Sequence, residues 1–321
     1  MNAVLLWGLP EEEQLAAVHH AVQARGAQVI MIDQRRALST HVLHGPGGPV
    51  LRQGDRVRPF GEVTGAYPRP YPCPPPRSGP ARLVAQRHIA RLEHELWQWT
   101  ATTTATVVNR LAPSASNSTK PMQTQLARAC GFRVPDTLLT NDLEQVRAFA
   151  ARHGRVIYKG AGAARTFTGL LDLTDVRRVE RLSTYPVYFQ RHIAGSNVRV
   201  HVVAAEVYAT EITSDAVDYR RHIQAMAPVA LPEWVADACR AVTQTLGLLL
   251  AGIDLIRATD GEWYFLEANT SPGFTFFPER DRVAAAIARL LVSPPGSLVG
   301  DGCLPGIAYR HDATPSAVAL R

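Results

Sequence analysis

Two carboxylates and one amide near the end of the chain have the types and the spacing that metal-assisted chemistry needs. Asp260-Gly261 is a preferred two-residue turn between antiparallel strands. Pairing outward from this turn places Asp254 opposite Glu267, with their Cβ atoms ~5 Å apart, and Asn269 on the same face. The predicted pairs are Thr259 with Glu262, Ile256 with Phe265, and Asp254 with Glu267. An all-oxygen set of this kind suits Mg²⁺ or Mn²⁺ shared with nucleotide phosphates.

The residues of the hairpin alone leave two other interpretations open. The polar face of the hairpin could simply be solvated, with no metal. A three-residue turn would shift the register and separate the two acids. What surrounds the hairpin must therefore decide between these interpretations.

Lysine usage marks two further positions. Of the 34 basic residues only two are lysines, Lys120 and Lys159. Arginine replaces lysine readily on a solvated surface, but not where a compact ammonium must fit against a phosphate. An arginine-biased proteome explains the count equally well until the neighbourhoods of the two lysines are considered.

The first part of the chain predicts an α/β domain. The predicted elements are a strand at 3–7, a helix at 11–25 and a strand at 28–32, an order typical of a parallel βαβ unit. Residues 45–80 are rich in glycine and proline, and Tyr67–Pro76 predicts an extended surface loop rather than a polyproline ligand. A helix is predicted from Pro80 to about Trp99. Its expected apolar face is Leu83, Ile89, Leu92, Leu96 and Trp99.

The rest of the chain alternates strands and helices. The predicted elements are a strand at 107–108, a helix from Pro121 to Gly131, an extended piece at 134–140, a helix capped by Asn141 and stopped by Gly154, strands at 155–159, 187–193 and 198–210, a helix at 232–246, the hairpin at 252–269, and a helix at 281–292. The residues after Ser293 predict a loosely ordered tail.

Composition excludes several classes of protein. Hydrophobic residues make up 46% of the 321 residues and charged residues 19%, which excludes global disorder. No apolar run approaches the ~20 residues of a membrane helix, and the start is too short and too soon acidic for a signal peptide. The four cysteines form no CxxC pair, which favours reduced thiols in the cytoplasm. The net charge of +6 is spread along the chain, so we do not expect a nucleic-acid tail or a nucleic-acid partner. The lack of a long apolar run predicts no membrane partner.

Two segments resemble a known superfamily. Glu267-Ala-Asn-Thr-Ser-Pro-Gly-Phe-Thr275 resembles the EVNTxPGxT signature of ATP-grasp ligases such as D-Ala–D-Ala ligases, and the EVNSSPG signature of RimK-type glutamate ligases. Phe189–His201 resembles the RimK-type hinge and the strand that follows it. The resemblance covers roughly residues 107–292. It implies an α/β (α+β ATP-grasp) fold, in which an N-terminal pre-ATP-grasp α/β domain precedes a two-lobed ATP-grasp module.

The resemblance assigns roles to individual residues. The two lysines fall where the family has its nucleotide-contacting lysines, and the loop Gly160–Gly169 falls where the family folds a loop over the phosphates. The implied nucleotide-binding residues are Lys120, Lys159, Gly162, Gln190, Arg191, Ile193 and Asn197. The implied metal ligands are Asp254, Glu267 and Asn269. The implied catalytic residues are Arg199 and Arg220, with Arg221 as an alternative to Arg220, and the implied acceptor-site residues are Thr270, Ser271 and Gly273.

Two residues depart from the family pattern. Arg191 stands where the hinge usually has a glutamate, and Asn197 where an aspartate often lies near the ribose, so nucleotide preference stays open. His192, His201 and His222 lack metal-ligand spacing and are expected to be structural or to line the pocket. The predicted domains are residues 1–105 before the ATP-grasp module, 106–188 as its lid, 189–296 as its C-terminal part, and 297–321 as a flexible tail.

The resemblance implies an enzyme. The expected reaction uses ATP and Mg²⁺ (or Mn²⁺) to join a small-molecule or peptide carboxylate to an amine through an acyl phosphate, releasing ADP and phosphate. A phosphotransferase acting on a hydroxyl and a non-catalytic nucleotide-binding regulator are the alternatives. Homodimers are common among such ligases, and a homodimer is an expectation that nothing in this sequence establishes.

Overall fold

The computed structural model describes residues 3–71, 81–160, 168–174 and 186–294. Its N-terminal part contains a four-stranded parallel sheet of order β2-β1-β6-β7 and a three-stranded antiparallel sheet of order β3-β4-β5. The strands are β1 (Ala3–Gly8), β2 (Gln28–Asp33), β3 (Thr40–Gly45), β4 (Gly48–Gln53), β5 (Arg56–Pro59), β6 (Val63–Pro68) and β7 (Thr106–Val107). The helices are α1 (Glu13–Gln23) and α2 (Ala81–Thr102).

The predicted βαβ unit is confirmed. Strand β1 is buried along its whole length because it lies inside the parallel sheet, where both of its faces are covered. Helix α1 buries Leu15, Val18 and Val22 against this sheet. The side chain of Glu12 accepts a hydrogen bond from the Leu15 amide at 2.7 Å and so caps the helix. These elements fix the position of Glu12 at one end of the sheet.

The glycine- and proline-rich segment contains three strands, β4 to β6, and the last residue of β3, and the sequence interpretation missed all four strands. Its glycines and prolines mark turns, as between Gly45 and Gly48, which pair across a tight connection from β3 to β4. Tyr67, predicted to start a loop, instead lies in β6 and is buried. Residues 72–76 of the predicted loop lie outside the described residues.

Helix α2 occurs where it was predicted, but its apolar face begins later. Leu92, Leu96 and Trp99 are buried, whereas Leu83 is 63% exposed. The assignment of Leu83 to the buried face was therefore wrong, because the first turn of the helix lies beyond the core that the later turns pack against.

The central part carries an antiparallel sheet of order β10-β9-β11-β8. Its elements are α3 (Leu111–Ser114), α4 (Lys120–Ala129), β8 (Thr137–Thr140), α5 (Leu143–His153), β9 (Val156–Gly160), β10 (Gly169–Leu170) and β11 (Val187–Arg191). Asn141 was wrongly predicted to cap α5. The carboxylate of Asp142 accepts a hydrogen bond from the Glu144 amide at 2.9 Å, so the cap lies one residue later. Gly154 ends the helix with a positive φ of 68°, as predicted.

The C-terminal part is a five-stranded antiparallel sheet of order β14-β13-β12-β15-β16. Its elements are β12 (Gly195–Val203), β13 (Glu206–Thr213), β14 (Ala225–Pro228), α6 (Glu233–Thr245), β15 (Leu250–Ala258), β16 (Trp263–Asn269) and α7 (Arg280–Val292). The single strand predicted at 198–210 is wrong: β12 and β13 are two strands. The turn between them carries no Gly, Pro, Asn or Asp to announce it, and Ala204 adopts a φ of 50° there.

Helix α7 packs the C-terminal part of the chain against the N-terminal part. Its buried face shares one hydrophobic core with β1, β6 and α1. Where β6 meets α7, the backbone passes so close that a Cβ on Gly65 would lie 2.3 Å from the carbonyl oxygen of Leu291. The predicted domain boundaries stay a prediction, and residues 297–321 lie outside the described residues. In the described ranges, every helix is too short or too polar to cross a bilayer.

The contact at Gly65 predicts a strong stability effect. Gly65→Ala should lower the free energy of unfolding by about 2–3 kcal/mol, because the methyl group meets backbone that has no room to yield. Gly61→Ala is the matched control, since nothing lies within 4 Å of a Cβ there. Chemical denaturation of both variants checks the prediction, and equal stability of the two variants would contradict it.

Candidate active site

The hairpin formed by β15 and β16 brings the two predicted acids together. Asp254 pairs with Glu267 and Gly252 with Asn269. The predicted pair of Ile256 with Phe265 is wrong, because the register shifts by one residue between Asp254 and Leu255. Near the turn Ile256 faces Tyr264. The Ala258 amide donates to the Glu262 carbonyl, so Thr259 does not pair with Glu262 either.

Glu267 lies among cations. Lys120 Nζ, at the start of α4, donates to Glu267 Oε2 at 2.8 Å. Burial by itself would raise the pKa of Glu267, but the charges of Lys159 and Lys120 outweigh it and hold that pKa at about 2. Glu267 is therefore a carboxylate at every physiological pH.

Asp254 has a different environment. Arg199 Nη1 lies 3.3 Å from Asp254 Oδ1, and the Tyr219 hydroxyl donates to the same oxygen at 3.2 Å. Burial and the neighbouring Glu267 raise the pKa of Asp254, whereas Arg199 opposes that shift. A cation bound beside Asp254 would offset both the burial of this carboxylate and its repulsion by Glu267.

Lys159, at the end of β9, is buried. Its Nζ lies 3.4 Å from Gln190 Oε1 and 5.2 Å from the centre of the Tyr188 ring. Desolvation lowers the pKa of Lys159 to about 8, although Glu267 opposes the shift. An anion that binds beside Lys159 in this low-dielectric site would therefore stabilise the charged ammonium strongly.

These groups surround one cavity of about 660 Å³. The predicted site residues that line it are Lys120, Lys159, Gln190, Arg191, Ile193, Asn197, Arg199, Arg220, Asp254, Glu267, Asn269, Ser271 and Gly273. Thr270 is not among the lining residues. Its side chain is buried and donates to the Ser114 carbonyl at 3.3 Å, so its assignment to the acceptor end is not supported by the geometry. Gly162 lies outside the described residues.

At the hinge, the two residues that depart from the family pattern, Arg191 and Asn197, both line the cavity. Arg191 lines the cavity, but its guanidinium lies over the Tyr264 ring at 5.7 Å and donates to the Tyr264 hydroxyl at 3.3 Å. That contact ties β11 to the C-terminal sheet. Asn197 lines the cavity from β12, two residues before Arg199.

Arg220 is held by a neighbour that the sequence interpretation did not name. The guanidinium donates from Nε and Nη2 to the two oxygens of Asp218, at 2.7 and 2.6 Å. This bidentate pair fixes the plane of the arginine. Asp218 and Tyr219 directly precede Arg220 in sequence, and both line the cavity. Arg221 is not among the residues lining this cavity, so the geometry favours Arg220 over it.

The N-terminal part contributes Arg69 to the end of the cavity where Ser271 lies. The sequence interpretation did not identify Arg69 as a site residue. Arg69 directly follows β6, at the carboxyl edge of the parallel sheet, where ligands bind in open α/β folds. Because β6 itself was missed, that edge was not recognised. Tyr71 and Phe276 line the same end of the cavity and are 47% and 52% exposed.

Two buried amides hold the site elements together and carry no motif signal. Gln123 of α4 donates to the Ala268 carbonyl at 2.8 Å and accepts from the Ala268 amide at 3.0 Å. Asn109 accepts from the Leu250 amide at 3.0 Å and donates to the Thr270 carbonyl at 2.8 Å. Both therefore fix the strands that carry the acids.

The donor set fits a hard divalent cation. Among the described residues no three acidic, histidine or cysteine side chains converge, so the protein offers two carboxylates and the Asn269 oxygen. Mg²⁺ keeps several waters and takes its remaining ligands from phosphates, which suits so small a protein set. Burial and the nearby carboxylate of Glu267 raise the pKa of Asp254, and a bound cation would favour its ionised form.

Comparison with known proteins identifies the class. Residues 178–291 match the RimK-like ATP-grasp domain family. The Chryseobacterium gregarium RiPP-associated ATP-grasp ligase, solved with ADP and a leader and core peptide, superposes with a TM-score of 0.78 at 20% identity, over 91% of this chain and 96% of that one. The fold is therefore the ATP-grasp fold.

Two further proteins are more similar in sequence. The ATP-grasp ligase PsnB, solved with a minimal precursor, Mg and ADP, is 27% identical with a TM-score of 0.72, over 90% of this chain and 97% of that one. The vancomycin C-type resistance protein VanC2 of Enterococcus casseliflavus is 28% identical over 203 residues, 55% of this chain. The match spans 58% of the length of VanC2. Residues 178–291 therefore form a RimK-like ATP-grasp domain, and the chain resembles RimK-type ATP-grasp ligases.

Proposed function

We propose that the protein is a ligase that uses ATP and Mg²⁺ to join a carboxylate to an amine through an acyl phosphate, releasing ADP and phosphate. One observation carries the proposal. Asp254 and Glu267 face each other in a cavity that also receives Lys120, Lys159 and Arg199. Phosphoryl transfer asks a protein mainly for positioning and charge neutralisation, which this set supplies.

Each side chain has a role that follows from its contacts. Lys120 and Lys159 would neutralise phosphate oxygens, and the carboxylate of Glu267 offsets the repulsion between the two ammoniums. Arg199, fixed by Asp254 and the Gly252 carbonyl, would neutralise the transferring group. Asp254, Glu267 and Asn269 would hold Mg²⁺, which when bound supplies charge neutralisation across the phosphate oxygens.

A peptide is the substrate class we propose. The two ligases compared above were solved with a leader and core peptide and with a minimal precursor. In this chain the cavity end that receives Arg69 carries the exposed aromatic residues Tyr71 and Phe276. Exposed aromatic side chains at the mouth of a cavity suit a chain that enters it from solvent.

The test is product formation by the full chain with Mg·ATP and peptides that contain acidic and amine side chains. Amide, ADP and phosphate in equal amounts support the proposal. Adding hydroxylamine in place of the amine should yield a hydroxamate, because it captures an acyl phosphate. AMP as product would contradict the mechanism. Phosphorylated product without an amine would indicate a kinase, and nucleotide binding without turnover would indicate a regulator.

A further inference from the structure

The loop that follows β16 is held by the N-terminal part of the chain. Arg69 Nη1 donates to Ser271 Oγ at 2.9 Å and lies 3.4 Å from the Pro272 carbonyl. On the same side, Gln14 donates to Thr275 Oγ1 at 3.0 Å, and that hydroxyl donates to a Glu13 carboxylate oxygen at 2.7 Å. The start of α1 and the end of β6 thus fasten both ends of the loop, which we call the acceptor loop (residues 271–275).

Arg69 is itself fixed by a buried partner. Its Nε and Nη2 donate to Glu12 Oε1 at 3.1 and 2.9 Å, and the two side chains are only 9% and 7% exposed. Burial would lower the pKa of Arg69, but Tyr67 and Glu12 keep it well above its usual value, so the guanidinium stays charged. Such a pair adds little net stability over an apolar one. What the pair with Glu12 does provide is a fixed direction for the N–H groups on Nη1 of Arg69, which point at Ser271.

The far side of the acceptor loop is fixed as well. His201 Nε2 lies 3.2 Å from the Gly273 carbonyl, and burial lowers the pKa of His201 to about 3, so the ring is neutral and donates from Nε2. Phe274 is fully buried in the core shared with α1 and α7. His201 and Phe274 therefore fix the middle of the loop, whereas Arg69 holds Ser271 and Pro272 at its start and sets the orientation of the Ser271 hydroxyl.

That orientation has a chemical consequence. Ser271 Oγ accepts from Arg69, and among the described residues the Ser271 hydroxyl has no acceptor for its own proton. An oxygen that accepts from a cation becomes a better donor through its O–H. Because Ser271 lines the cavity, its proton is available to an oxygen of the substrate.

We propose that Arg69 is a positioning residue for the acceptor substrate: held by Glu12, it orients and polarises the Ser271 hydroxyl, which donates to a carbonyl or carboxylate oxygen of the peptide. The proposal rests on the proposed ligase function for its substrate, but the position of the loop can be measured without catalysis. It assigns part of the acceptor site to the N-terminal domain.

The first test needs no substrate. Arg69→Gln alone leaves Glu12 buried and unpaired, so the neutral double variant Glu12→Gln/Arg69→Gln is used, together with Ser271→Ala. Amide hydrogen exchange in residues 271–276 of the full chain should accelerate by about tenfold in the double variant, while the affinity for Mg·ADP stays unchanged. Arg35→Gln, which breaks an exposed ion pair with Glu11 in the same region, is the control. It should change neither the exchange rate of residues 271–276 nor the affinity for Mg·ADP. Unchanged exchange in the double variant would overturn the proposal.

The second test uses a peptide that the wild-type enzyme joins. Ser271→Ala and the double variant should each raise KM for that peptide by about tenfold with KM for ATP unchanged, and combining them should add nothing further because both remove one interaction. Multiplicative effects would show that Arg69 acts elsewhere and would refute the assignment. If the wild type joins no peptide, the proposed function fails, and the exchange measurement alone decides on Arg69.

Discussion

Replacing Glu267 with glutamine is expected to lower the rate of ADP formation by about 10³-fold. Glutamine keeps the shape of the side chain but removes the charge that faces Lys120 at 2.8 Å and opposes Asp254 across the hairpin. A metal ion bound at the proposed site would lose one of its two anionic ligands at the same time. The two effects act on the same phosphate-binding geometry, so the loss should appear in kcat as well as in nucleotide affinity.

The control for Glu267 lies on the same hairpin. Glu262 is half exposed and pairs with exposed Arg133, so Glu262→Gln should retain wild-type turnover. Steady-state release of ADP and phosphate measures both variants, and thermal unfolding confirms that each is folded. Turnover within about threefold of wild type for Glu267→Gln would refute the metal-ligand assignment and the charge argument together.

The sequence predicted the opposition of Asp254 and Glu267 through two errors that cancel. A two-residue turn was assumed, but the connection runs from Ala258 to Trp263 and shifts the pairing by one residue. The bulge between Asp254 and Leu255 shifts it back, so the acids face each other although Ile256 does not face Phe265. Local turn preferences carry no information about a bulge that forms under tertiary packing.

Other parts of the site were predictable to different degrees. Lys120 and Lys159 were marked as the two lysines of an arginine-rich chain and were assigned to the nucleotide through the resemblance to the family, and neither step needs a structure. Arg69 was not found, because its relevance depends on β6 reaching the carboxyl edge of the parallel sheet, and the proline-rich sequence obscured that strand. Its ion pair with Glu12 joins residues 57 apart in sequence. Long-range pairing of this kind leaves no local pattern.

Lys159 should make both stability and nucleotide binding depend on pH. Its pKa is about 8 in the folded protein and 10.5 when unperturbed, so between these values the unfolded chain holds more protons. The free energy of unfolding therefore rises as pH increases from 8 to 10.5. Below pH 8 the buried ammonium costs about 3–4 kcal/mol at most, since the pKa falls from 10.5 to about 8 and one pKa unit corresponds to about 1.4 kcal/mol. Lys159→Met should remove this rise.

Nucleotide binding should show the opposite trend. A phosphate favours the charged form of Lys159, so Mg·ADP binding should take up protons above pH 8, and affinity should fall as pH rises through 8. Calorimetry in two buffers of different ionisation enthalpy measures the uptake. Lys159→Arg keeps its charge and should abolish the fall, whereas Lys159→Met should bind about 10- to 100-fold more weakly below pH 8, because a charge-assisted hydrogen bond is worth about 1.5–3 kcal/mol. Proton release on binding, or a fall in affinity that persists in Lys159→Arg, would place the titrating group elsewhere in the cavity.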